Sequence, residues 1–260
     1  MKLTGIPFRI LLLVLLCCCG ISNIQSQLVN IESRRMHTDS IRFVLSSDLL
    51  FNYTDNNGEY IVQISSNSNI QYKSKNLKNI YFLTGNLNLI RTKDEDFQNS
   101  WFAHFRYNWK FSDKLRAESF IQSQNNQQLI ITQRDLAGIG LRFKMFNLKN
   151  TTAYLGNSYM YEIEYIKSLD EHFYNHRNSS YLSISQSFSN HNLTILGTLY
   201  FQPLYKKMDN YRILGQLKVE MPLSEIISFS GQLNYSLIKF DSILGDDRST
   251  NTSFGFTINI

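Results

Sequence analysis

From Ile41 to Ile260 the sequence alternates apolar and polar residues in twelve successive stretches, roughly 41–53, 60–72, 79–90, 100–111, 115–125, 133–146, 151–166, 176–188, 193–203, 211–221, 226–240 and 250–260. In an extended strand successive side chains point to opposite faces, so a period of two sorts residues into one apolar and one polar face. The fourth stretch sets Trp101, Ala103, Phe105, Tyr107, Trp109 and Phe111 against His104, Arg106, Asn108 and Lys110. The same rule groups Ile41, Phe43, Leu45, Leu49, Phe51 and Tyr53, and near the other end Phe254, Phe256, Ile258 and Ile260. A helix would scatter these residues round its circumference. Abundant Tyr (15) and Phe (18) with only 3 Pro suit strands equally well.

Stretches of this length are long for a globular sheet, whose strands cluster near about 5 to 6 residues, but they suffice to cross a bilayer at a tilt. The polar links also alternate. Short ones fall near 74–78, 112–114, 147–150, 189–192 and 222–225; longer ones fall near 92–98, 126–132, 167–175, 204–210 and 241–249. Short turns on one rim and long loops on the other are the plan of an outer-membrane barrel. An even strand count lets the sheet close with no free edge. The fold expected is therefore all-β: a transmembrane antiparallel β-barrel of about twelve strands over 41–260. The competing fold, a soluble sandwich or lipocalin-like barrel, would place the apolar face inward. The second face here carries charges and amides suited to a polar lumen.

The first residues, MKLTGIPFRILLLVLLCCCGISNIQSQ, combine Lys2 and Arg9 with an apolar run from Ile10 to Cys19 too short to span as a helix. They read as a secretory signal peptide over 1–26, leaving a periplasmic segment over 27–40. Lipidation at Cys19 is the alternative. All three cysteines lie in that leader, so the exported chain would carry no disulfide and no thiolate metal site. Removing Lys2 and Arg9 lowers the formal charge from +5 to +3. So small and dispersed a charge argues against nucleic acid as a partner. Six N-x-S/T sequons, beginning at Asn52, Asn150, Asn178, Asn192, Asn234 and Asn251, are expected by chance in a chain this rich in Asn, Ser and Thr.

With the apolar face on lipid, strand parity turns Arg134, Glu162, Glu164, Arg177 and Arg212 inward near the outer mouth. Arg106, Lys110, Arg116, Glu118, Arg142, Lys144, Lys218 and Glu220 fall at a lower level. The three upper guanidiniums could grip a carboxylate, phosphate or ion. Alternatively, charges of both signs pair across a narrow bore and fill it, because unpaired charges in a confined lumen are costly. Twelve strands also suit an outer-membrane-embedded lipid hydrolase, but catalysis has weak support. His104 is the one mid-strand histidine, and the Glu162/Glu164 pair reads better as salt-bridged than as an acid and base. No phosphate-binding glycine loop or zinc motif occurs, and no cofactor is implied. The acidic runs Asp94, Glu95, Asp96 and Asp246, Asp247 are conceivable divalent-ion ligands but read as solvated loops.

The stretches LVNIESRRMHTDS after the leader, RNSSYLSI at Arg177 to Ile184, LYFQPLYKKMDNYRI at Leu199 to Ile213 and YSLIKFDS at Tyr235 to Ser242 resemble the bacterial family called domain of unknown function 481. That family is also described as salt-induced outer-membrane proteins. The resemblance implies an outer-membrane location and leaves the activity open, beyond a link to salt or osmotic stress. SFGFTINI, with Ser253, Gly255, Ile258 and Ile260, resembles the terminal signal read by the barrel-insertion machinery. The partners expected are that machinery and outer-membrane lipids, with the barrel a monomer.

Overall fold

The computed structural model describes residues 42–56, 59–92, 98–126, 131–167, 169–188, 193–239 and 246–259. The leader and the segment 27–40 lie outside the described residues, as do Asp94, Glu95, Asp96 and Ile260. Twelve strands follow one another: β1 (Phe43–Asn56), β2 (Glu59–Lys73), β3 (Asn79–Thr92), β4 (Gln98–Lys110), β5 (Leu115–Asn126), β6 (Ile131–Leu148), β7 (Thr151–Ile166), β8 (Glu171–Phe188), β9 (Leu193–Leu204), β10 (Lys207–Pro222), β11 (Ile227–Lys239) and β12 (Asp246–Asn259). Each pairs antiparallel with its sequence neighbours, and β1 pairs with β12 to close the barrel.

Every stretch read from the period-two pattern is a strand. The connections differ from expectation, because the rim expected to carry long loops is joined by 57–58, 93–97, 127–130, 167–170, 205–206 and 240–245, none longer than six residues. The missing loop residues are in the sheet. β8 starts at Glu171 and β10 at Lys207, several residues before the alternation of polarity begins. Beyond the lipid both faces of a strand meet water, so the polarity signal fades while the backbone ladder continues.

On the other rim, hydroxyls organise the turns. Ser112 Oγ accepts from the backbone N–H of Lys114 (3.3 Å) and Leu115 (3.1 Å), and Ser224 Oγ does the same for Ile226 (3.3 Å) and Ile227 (3.0 Å). In the 74–78 turn, Asn76 Oδ1 accepts from Ser74 Oγ (2.6 Å) and Lys78 N (3.0 Å), and Leu77 takes a left-handed φ of 56°. These short side-chain acceptors replace the ladder partners that the chain loses as it reverses.

The outer surface is mostly apolar, interrupted by hydroxyls and amides such as Ser47 and Ser68 on β1–β2 and Ser123, Gln133 and Asp135 on β5–β6. Phe51, Leu87, Ile121, Ile139, Leu141 and Leu199 are each more than half exposed. Rings gather toward both rims. Tyr72, Tyr81 and Tyr107 run in a ladder at 6.1 and 5.3 Å near one, and Tyr165–His172 (5.0 Å) and Tyr159–Tyr205 (6.1 Å) lie toward the other. A strand of about 14 residues at about 3.3 Å per residue, tilted by about 40°, rises roughly 35 Å, more than the ~25 Å apolar band of such barrels.

Two glycines matter to closure and filling. A Cβ on Gly255 would stand 2.0 Å from the Leu49 carbonyl oxygen, so the seam requires glycine there. A Cβ on Gly156 would stand 2.1 Å from the Tyr181 ring, which lies flat against β7 and directs its hydroxyl inward.

Candidate functional site

The inward face is buried along its length. Ser65, Asn67, Thr84 and Ser230, small side chains on β2, β3 and β11, are at most 4% exposed. It is also less uniformly polar than its sequence suggests, since Phe82 packs on Phe102, and Phe120 on Leu136 and Met160, inside the barrel.

All five residues assigned to the outer mouth meet in one buried cluster. Glu162 on β7 is its centre. Its Oε2 accepts from Arg134 Nε (2.9 Å) and Nη2 (2.6 Å) on β6 and from Arg212 Nη1 (3.0 Å) on β10. Its Oε1 accepts from Arg177 Nε on β8. Glu164 Oε1 accepts from Arg212 Nη2 and stands 3.4 Å from Arg134 Nε, and Glu164 Oε2 accepts from Asn175 Nδ2 (3.1 Å). Arg177 is anchored further by the carbonyls of Gln202 and Asn210 (3.3 Å each) and by Asn210 Oδ1 (2.9 Å). Local sequence explains the geometry. In YEIEYI the two carboxylates sit at i and i+2, so both project inward one above the other, and arginines from three other strands converge on them. The two carboxylates thus face three guanidiniums and are consumed by charge-assisted bonds.

A second layer lies below. Glu118 on β5 stands 3.3 Å from Arg106 Nη1 on β4 and 3.9 Å from Arg142 Nη1 on β6, and accepts from the Tyr181 hydroxyl on β8 (3.0 Å). Arg142 also donates to the Tyr181 oxygen (3.3 Å) and lies 3.8 Å from the Tyr154 ring centroid. Elsewhere on the wall, Lys218 on β10 reaches Asp48 on β1 (3.2 Å) and Glu220 (3.3 Å), and Thr257 Oγ1 donates to Asp48 (2.6 Å). Of the other lower charges, Lys110 pairs at the rim with Asp113 (2.7 Å), whose carboxyl is held below its usual value by that hydrogen bond. Arg116 and Lys144 lie half-buried on β5 and β6.

His104 has both ring nitrogens engaged: Nδ1 lies 3.2 Å from Gln122 Oε1, and Nε2 accepts from Arg106 Nε (3.3 Å). The ring stacks between Phe102 and Phe120 at 6.2 and 5.7 Å. Bonds at both nitrogens use the basic lone pair that a nucleophile would need. Between the layers is a cavity of about 40 Å³ whose lining includes His104, Arg106, Arg134, Ser179 and Gln202, room for roughly three waters at ~10–15 Å³ of such volume each. Among the described residues no cluster of His, Cys, Asp and Glu could hold a metal ion.

Asp48, Tyr181 and Asn210 were not picked out by sequence reasoning. Asp48 and Tyr181 have inward parity, but Glu118, Arg142 and Lys218 reach them across the bore from strands that are not their neighbours, and Thr257 reaches Asp48 only because β12 closes on β1.

Of the residues assigned to the terminal signal, Ser253 is buried on the lumen side and Gly255 sits at the seam opposite Leu50, while Ile258 pairs with Ser47 across it.

A closed twelve-stranded antiparallel sheet with a mostly apolar exterior and a buried polar interior is a transmembrane β-barrel of the outer-membrane type. The solved NanC porin has this fold: 84% of this chain and 99% of that one superpose with a TM-score of 0.52 at 9% identity. The KdgM porin aligns over 83% of this chain and 98% of its own at 11% identity (TM-score 0.46). The translocator domain of the autotransporter NalP from Neisseria meningitidis aligns over 88% and 92% at 9% (TM-score 0.46). No curated protein matches the sequence. The family model described as protein of unknown function, DUF481, matches residues 23–260, and the chain belongs to that family.

Proposed function

We propose that the protein is an integral outer-membrane barrel whose lumen is held shut by its own charge layers, without enzymatic activity. The carrying observation is Glu162. Four charge-assisted hydrogen bonds from Arg134, Arg177 and Arg212 converge on one fully buried carboxylate and tie β6, β7, β8 and β10 together inside the bore. Opposite charges brought this close in a dry interior attract strongly, and separating them exposes unpaired charge. The resting state is therefore closed to solutes, and opening requires displacing the arginines from Glu162 and Glu164. The salt or osmotic role implied by the family resemblance fits a barrel that opens conditionally.

Export through the N-terminal leader and assembly by the insertion machinery complete this reading. Fractionation should place the protein in the outer membrane with heat-modifiable gel mobility; a water-soluble mature chain would overturn the location. Proteoliposomes carrying it should not swell in small sugars. Swelling at the rate of an open porin would overturn the closed lumen, and steady uptake altered by neutralising Arg134, Arg177 or Arg212 would favour the alternative, a narrow pore selected by its mouth charges.

A further inference from the structure

The two charge layers inside the bore do not balance. Arg134, Arg177 and Arg212 face Glu162 and Glu164 in the upper one, and Arg106 and Arg142 face Glu118 in the lower, so five guanidiniums meet three carboxylates. Each of these eight residues is at most 3% exposed. Arginine keeps its proton in proteins, so titration cannot remove the excess. Nor do the other charges of the bore remove it. Lys218 and Asp48 pair with each other, Glu220 beside them is partly in water, and Lys73 is a further buried cation. Positive charge left unmatched out of water is among the costliest states of a protein interior.

The cavity between the layers lies where this excess acts from both sides. Its lining takes one guanidinium from each layer, Arg106 and Arg134, together with Ser179 of β8 and Gln202 of β9. Arg134 gives Nε and Nη2 to Glu162, which leaves Nη1 for another acceptor. Ser179 Oγ accepts from Gln202 Nε2 (3.0 Å) and keeps its own O–H to donate. Gln202 is buried, yet its Oε1 makes no hydrogen bond; a water in the cavity would supply the donor it lacks. The volume of about 40 Å³ accommodates a halide together with one or two waters. Phe120 and Leu136 close the lining with apolar surface, which suits a weakly hydrated halide better than sulfate or phosphate.

We infer that this cavity is a binding site for a small monovalent anion, with chloride as its occupant, held between Arg106 and Arg134 as the counter-ion of the closed bore. The inference rests on the closed lumen, because only a dry bore makes the excess charge costly.

Crystals of the native barrel grown in sodium bromide should show an anomalous peak in this cavity. In phospholipid vesicles, with chloride replacing gluconate at constant ionic strength and urea held within the unfolding transition, each tenfold rise in chloride above its dissociation constant should raise the folded-to-unfolded ratio about tenfold. Gluconate, too large for the cavity, should give no rise. Gln202→Glu puts a carboxylate into the lining in place of the ion; it should abolish the bromide peak and leave the ratio independent of chloride. The two measurements on the native chain decide the matter even where Gln202→Glu does not assemble. In a barrel that is silent in planar bilayers, an empty cavity in bromide, a native ratio equal in chloride and gluconate, or an undiminished chloride dependence in folded Gln202→Glu would overturn the anion site alone. Steady conduction by the native barrel would overturn the closed lumen and the site with it.

Discussion

Replacing Glu162 by Gln exchanges one carboxylate oxygen for an NH2 group of nearly the same volume and removes one charge. In the native cluster its Oε2 accepts three N–H bonds, at 2.6, 2.9 and 3.0 Å, and its Oε1 accepts the fourth from Arg177. A glutamine must place its NH2 at one of these two sites. At the Oε1 site, one guanidinium bond becomes a donor facing a donor; at the Oε2 site, three do. Either way Arg134, Arg177 and Arg212 are left with Glu164 as the remaining carboxylate of the cluster. Breaking a buried ion pair from one side costs about 3–5 kcal/mol, and each lost bond to a charged group contributes about 1.5–3 kcal/mol. Retention of shape and of one acceptor keeps the expected loss within about 3–5 kcal/mol. Urea unfolding in phospholipid vesicles, followed by tryptophan fluorescence from Trp101 and Trp109, measures it. The double variant Glu162→Gln/Arg134→Met, with one cation fewer, should recover at least about 1 kcal/mol relative to the sum of the singles, because the two sites share partners. A Glu162→Gln barrel within about 0.5 kcal/mol of the parent, the range of a surface change, would refute the reasoning that this cluster holds the lumen together.

Four further outcomes are expected. Gly255→Ala drives a Cβ to 2.0 Å from the Leu49 carbonyl; the seam should open, and the folded, fast-migrating gel band should be lost or weakened by about 1–3 kcal/mol of overpacking strain. Tyr181→Phe deletes the hydroxyl shared by Glu118 (3.0 Å) and Arg142 (3.3 Å) and should cost about 1–3 kcal/mol in the same urea experiment. Lys218→Met strands Asp48 and should cost about 3–5 kcal/mol, whereas Asp48→Asn with Lys218→Met should recover most of it. Deleting 256–260 removes ladder partners of Leu49, Asp48, Ser47 and Ser46, and pulse-chase in cells should show loss of assembly before degradation.

Much of the fold was legible because lipid outside and a polar interior impose opposite demands on alternate residues, and that contrast is written into every strand. It fades where the contrast fades. At His172, Tyr174 and Asp209 both faces lie beyond the hydrocarbon, so β8 and β10 reach further than the polarity pattern shows. Parity and height along each strand sufficed to gather Arg134, Glu162, Glu164, Arg177 and Arg212. Which carboxylate each arginine holds was not legible, because that depends on bends and register shifts, such as the irregularities between Ile131 and Gln133 beside Arg134 and between Lys207 and Tyr211 beside Arg212. Lys218 and Asp48, 170 residues apart, are brought together by the closing β1–β12 pair. The inward Phe82, Phe102 and Phe120 break the expected polar face, and in the folded barrel they fill space that charge alone would leave to water.

Single-channel recording from planar bilayers tests the closed lumen most directly. The native barrel should stay silent at moderate voltage, and Glu162→Gln, which leaves an excess of guanidinium charge in the bore, should produce openings that favour anions. Steady conductance from the native protein, unchanged in size and selectivity in Glu162→Gln, would contradict the account.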